Sequence, residues 1–203
     1  MVRFSFVPGE PRRYVAQLNP VALLIQNDDG TCATTCSLCD EPLSKPIFGT
    51  SHFIHDESDR LYAYSGAGMH WDCYAAWKYQ KRFANQYFEV VTNSSYKNPY
   101  WPTVLALPNV NMRANCDLTP PVADIDIRAI GPGPRVELDG WADWLDGGYR
   151  DDCSHSLQLS ALDGVIDDLR SRFPTYEAIL LAAQAQKTRH NNTMHTEHSF
   201  GRV

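Results

Sequence analysis

Three cysteines and a histidine stand in the chain at spacings that can close around one metal ion. Cys36 and Cys39 are separated by two residues, and thirty residues further on His70 and Cys73 repeat the same gap. Two intervening residues let a backbone knuckle turn both side chains of a pair towards one point. Two such pairs supply four soft or borderline donors, which is the full complement of a tetrahedral structural zinc site with no open position. A histidine in the set favours zinc over an iron–sulfur cluster, which ordinarily takes four thiolates. The chemistry expected is structural: an ion that holds the fold together.

The segments around the two pairs must present them. Asn27–Gly30 is a turn signal, and Thr31–Thr35 leads from it into the first pair. Pro46–His55 and Arg60–Ser65 are rich in aromatic and β-branched residues and flank the polar Asp56–Asp59, which predicts a hairpin. Gly66-Ala67-Gly68 ends its second strand. From about Trp71 a single amphipathic helix is expected, with Cys73, Ala76, Trp77, Phe83, Ala84, Tyr87 and Phe88 on one face. The second pair then lies in the first turn of a helix, where the dipole favours thiolate.

Knuckle, hairpin and a helix that donates two ligands from its first turn: this layout resembles the treble-clef zinc-finger group over residues 34–90. The resemblance implies a metal site at Cys36, Cys39, His70 and Cys73. It implies no activity, because the group includes ribosomal proteins, adaptors and nucleases. In the nuclease branch of the HNH type a histidine at the end of the first hairpin strand activates water. His52 and His55 occupy that region, so a metal-dependent nuclease is an alternative function. Ser51 stands where that pattern carries an acid, and Tyr74, Ala75 and Trp77 replace its helical ligands.

The rest of the chain is read from periodicity and charge. Thr103–Leu107 and Val110–Asn115 are expected strands parted at Pro108-Asn109. Val122–Ile130 alternates, with Asp124 and Asp126 expected on an open polar side opposite Ile125 and Ile127. Gly131–Pro134 reads as a stiff turn into Arg135–Leu138. Asp139 is the expected cap of a short helix that buries Trp141, Trp144 and Leu145. Leu159, Leu162, Ile166, Leu169 and Phe173 form the stripe of one further helix, and Pro174 begins another. The fold class expected is α+β, in three parts: a zinc-binding domain over 1–118, an acidic strand-plus-helices part over 119–186, and a polar disordered tail over 187–203. With 43% hydrophobic and 11% aromatic residues, the chain has material for a substantial core.

The formal charge is −6, and it is concentrated. Residues 117–168 hold twelve acidic against three basic side chains, whereas residues 1–116 are balanced at ten of each. Such a belt repels a phosphate backbone and attracts basic surfaces, so nucleic acid is disfavoured and a basic protein partner expected. Asp124, Asp126, Asp143 and Asp146 are the carboxylates expected to meet it. No lipase-type elbow, metalloprotease helix motif, Walker loop or kinase set occurs. No apolar run approaches the length of a membrane span and the N-terminus lacks a signal-peptide pattern; six cysteines in such a chain point to metal and free thiols in a reducing cytosol. The leading expectation is a non-enzymatic, zinc-stabilised binding protein of the general character of immunity proteins that neutralise basic nuclease toxins. A zinc-stabilised adaptor in a larger complex is a third reading.

Overall fold

The computed structural model describes residues 34–93 and 100–199, with side chains described as far as Arg189. The strand expected over residues 2–7, the apolar segments before residue 27 and Cys32 lie outside the described residues. Within them, the chain forms two neighbouring cores, each with its own means of support.

The first core is aromatic and has little regular structure. Strand β1 (Ile47–Gly49) pairs antiparallel with β2 (Gly68–His70), each only three residues long. The loop between them is held by side-chain chemistry: the Ser65 hydroxyl accepts from the amides of Phe53 at 2.7 Å and Ile54 at 2.9 Å. That is why the expected hairpin over 46–65 does not form. Only the start of the first aromatic stretch is a strand, β1, which pairs instead with the segment expected to be a glycine break; the remainder is loop apart from a 3-10 turn at Tyr62–Tyr64. Helix α1 (Trp71–Ala76) follows at once, then α2 (Gln80–Thr92). The single helix expected here is broken at Trp77-Lys78-Tyr79, where Trp77 turns extended (ψ 125°) and its amide returns to the Tyr74 carbonyl. Phe48 stacks on Tyr74 with centroids 3.6 Å apart, and Phe53 meets Phe83 and Tyr87 edge-on. Aromatic rings thus fill the space that a larger sheet would otherwise cover.

The second core is a four-stranded antiparallel sheet in the order β3 (Thr103–Ala106), β4 (Val110–Asn115), β5 (Val122–Ile127), β6 (Gly131–Glu137). Val110, Met112 and Ala114 of β4 and Ala123, Ile125 and Ile127 of β5 face one core, as alternation requires. Over that face lie α3 (Trp141–Leu145), α4 (Ser156–Asp163), α5 (Ile166–Arg172) and the long α6 (Tyr176–Ser199), with Trp141 fully buried and its indole N–H on the Phe173 carbonyl at 2.7 Å. Pro132 and Pro134 sit inside β6, which the expected turn did not foresee. Prolines are tolerated there because β6 is an edge strand. Gly133 must lack a side chain, since a Cβ would stand 2.3 Å from the Ile125 carbonyl oxygen.

Several expectations are corrected. The 118/119 boundary falls between β4 and β5, which are hydrogen-bonded neighbours from Val110↔Ile127 to Asn115↔Val122, so one sheet spans it. The Leu159–Phe173 stripe is divided at Gly164-Val165 into α4 and α5. Gly140, not Asp139, is the N-cap of α3. The expected disordered tail is instead the continuation of α6, which runs from Tyr176 through the helix formers Ala182–Lys187 to Ser199. The largest correction concerns Asp126. Its face of the sheet is the polar one, but α2 covers it, and Asp126 is 2% exposed. Asn111 and Asp126 are cross-strand partners, as are Arg113 and Asp124. Asp126 receives hydrogen bonds from Tyr87 of α2, Asn111 and Arg113 at 3.1–3.2 Å. Burial raises its carboxyl above the usual range, against the Arg113 charge and the Asn111 and Tyr87 donors.

Candidate metal centre

The first ligand pair sits in a knuckle closed by its own backbone. The Cys36 amide donates to the Glu41 carbonyl at 2.8 Å and the Asp40 amide to the Cys36 carbonyl at 2.9 Å. Asp40 takes up the left-handed conformation (φ +64°) that so tight a reversal requires, one that aspartate tolerates better than most side chains. The Ser37 amide then bonds the Gly68 carbonyl at 3.1 Å, which fastens the knuckle to β2. The second pair arrives from that strand: His70 is the last residue of β2 and the N-cap of α1, and Cys73 lies in the helix's first turn.

These elements bring Cys36, Cys39, His70 and Cys73 together, with one ligand atom from each all within 4.8 Å of one another. His70 Nδ1 lies 3.5 Å from Cys39 Sγ and 3.8 Å from Cys73 Sγ. Ligands about 2.3 Å (sulfur) and 2.1 Å (nitrogen) from a tetrahedral ion would stand roughly 3.6–3.8 Å from one another. The four side chains are therefore positioned to bind a metal ion. The far ring nitrogen supports this orientation. His70 Nε2 donates to the Pro42 carbonyl at 3.1 Å, which leaves the Nδ1 lone pair aimed at the sulfurs. Pro42 belongs to the same knuckle through its bridge to Thr35, and no sequence signal marks it for this task.

The thiols are electrostatically unequal. Burial opposes ionisation of Cys36, but amide donors from His70, Leu38 and Cys39 outweigh it and bring its pKa down to about 7. Cys73 is pushed up to about 12, first by burial and then by the neighbouring sulfurs of Cys39 and Cys36. One thiolate forms readily, and the next must form beside it. A divalent cation removes that conflict, which is the coupling of metal binding to proton release expected of such a donor set.

Among the described residues no other group of three or more metal-binding side chains converges. His52 and His55 do approach, with ring centroids 5.9 Å apart. His52 is held by the Ser65 carbonyl at 3.0 Å from Nδ1 and packs its ring against Tyr62 at 5.1 Å, while His55 is exposed. Cys153 donates its thiol to the Tyr149 carbonyl, and burial raises the pKa of both Cys153 and Cys116. Of the four carboxylates singled out for partner binding, Asp143 of α3 and Asp146 at its C-cap are exposed, Asp124 is clasped by Arg135 at 2.7 Å, and Asp126 is buried. They do not form one outward face. No described helix is long and apolar enough to cross a membrane. No family model, curated protein or solved structure matches the chain.

Proposed function

We propose that the chain is a zinc-stabilised protein-binding module whose ion is structural and whose ligand-bearing part is of the treble-clef type. The partner is a basic protein, and the general character of the molecule is that of an immunity-type protein in a reducing cytosol. The observation that carries this reading is where unpaired acid remains. Five of the twelve carboxylates of the belt meet a cation within the fold: Asp117 with Lys187, Asp124 with Arg135 and Arg113, Asp126 with Arg113, Asp163 with Arg150, and Asp167 with Arg170. Asp143, Asp146 and Asp151 are exposed, sit on or just after α3, and have no cation partner among the described residues. Their field is therefore available to an incoming cationic surface.

The test reverses that field. Asp143→Lys, Asp146→Lys and Asp151→Lys together leave the core intact, because none of the three side chains is buried. A partner recovered from native lysate on the wild-type chain should bind the triple variant at least about ten times more slowly at low salt, the difference shrinking as salt rises. Association at the wild-type rate by a folded triple variant overturns the reading.

A further inference from the structure

The break between α1 and α2 leaves a corner of opposite character to the acidic belt. Trp77, Lys78 and Tyr79 form the break, and Tyr64 packs on Trp77 with centroids 4.7 Å apart while Tyr79 meets it edge-on at 5.8 Å. The Lys78 ammonium lies 4.9 Å from the Tyr79 ring centre and the Arg60 guanidinium 5.7 Å from it, with Arg60 reaching the Tyr79 hydroxyl at 3.4 Å. Lys81, in the first turn of α2, is exposed beside them. The hydrogen bond from Arg60, then that from Lys78, holds the Tyr79 phenol below its usual pKa, so the local potential is positive.

The placement of these cations is uneven. Arg82, Arg113, Arg128, Arg135, Arg150 and Arg170 all meet a carboxylate. Arg60, Lys78 and Lys81 meet none among the described residues, although acid outnumbers base in the chain. Tryptophan, tyrosine and arginine are the side chains that dominate binding at protein interfaces, and here Trp77, Tyr79 and Arg60 stand together with Lys78 and Lys81 adding positive charge beside them. We infer that this corner, Trp77, Lys78 and Tyr79 with Arg60 and Lys81, docks a short acidic segment of a protein, its carboxylates on the three cations and an apolar residue against Trp77 and Tyr79. A protein segment fits better than a nucleic-acid strand. Only three cations gather here, and each neutralised phosphate contributes a slope of only about −0.7 to the salt dependence of a single strand, so little of a strand's charge would be met. The site is separate from the α3 acid and stands or falls without it.

Fluorescein-labelled twelve-residue peptides rich in Asp and Glu, each with one Leu, Phe or Trp, are titrated by anisotropy against the full metal-loaded chain at 50 and 300 mM salt. The controls are the same peptides with Asn and Gln and a fifteen-residue oligothymidine. At least one acidic peptide should bind, weaken about tenfold or more at the higher salt, and exceed both controls about tenfold. Lys78→Glu with Lys81→Glu should weaken it a further tenfold while circular dichroism and metal content stay at wild-type values. Arg60→Glu, away from the helix, should do the same, so the result does not depend on one variant folding. Absence of binding by every acidic peptide, equal binding by the folded variants, or tighter binding of oligothymidine each overturns the inference.

Discussion

The two cores of this chain reach order by different routes. The sheet core uses backbone ladders: four strands in consecutive order, with Val110, Met112, Ile125 and Ile127 of the sheet packed against Trp141 and Leu162 of the helices. The ligand-bearing core has two three-residue strands and a loop held by one serine, and it relies on rings and on the Cys36–Cys39–His70–Cys73 cluster. Where backbone pairing is sparse, side-chain chemistry must fix the chain path. The cores meet along α1 and α2 through a few buried polar contacts: Tyr74 to the Ile130 carbonyl at 2.8 Å, Gln80 to the Ala129 carbonyl at 2.9 Å, and Tyr87 to Asp126 at 3.1 Å.

The strongest way to break the comparison is to remove the metal. Chelation, or Cys39→Ser, should unfold residues 34–93 and leave strands β3–β6 protected in hydrogen exchange. Metal binding in comparable sites supplies roughly 10–16 kcal/mol of apparent free energy, far more than two short strands can replace. Elemental analysis should find one zinc per wild-type chain, and a chelated protein with unchanged exchange in both cores would erase the distinction. The converse perturbation is smaller. Trp141→Ala, which empties the centre of the sheet core and strands the Phe173 carbonyl, should cost about 3–5 kcal/mol in denaturant titration. Bound metal should stay stoichiometric in the folded fraction.

The smallest effect lies at the junction. Because burial raises the Asp126 carboxyl in the folded state, its contribution to stability is complete below the ordinary aspartate value of about 4. It is lost as pH rises through the folded value. Asp126→Asn should flatten that part of the stability–pH curve, read from denaturant midpoints between about pH 4 and 8. An unchanged curve would mean that Arg113, Asn111 and Tyr87 compensate the burial fully.

The ligand set was legible in the sequence because two-residue spacing is selective and needs no knowledge of what surrounds it. The alternation of β4 and β5 was legible too, down to which residues share a face with Ile125. What the alternation could not carry is the cover: nothing local in Val122–Ile127 says that α2 lies over Asp126, since Tyr87 is 39 positions away. The helix break at Trp77–Tyr79 contains no proline or glycine, so periodicity runs straight through it. The loop at 50–67 carries the composition of a hairpin because its aromatic residues pack in or against the core, and a buried ring looks the same to a propensity whether strand or loop delivers it.

The His70–Cys39 proximity joins residues 31 positions apart, and its consequence is best expressed as chain entropy. Closing a loop of that length by a cross-link removes about 4 kcal/mol of conformational freedom from the unfolded ensemble. An ion held by the four side chains would do this before any contact inside the loop is counted. Residues 50–67 are thereby released from having to pair, and their sequence is free to expose His55, Arg60 and the other polar side chains that face outward from the ring-filled core.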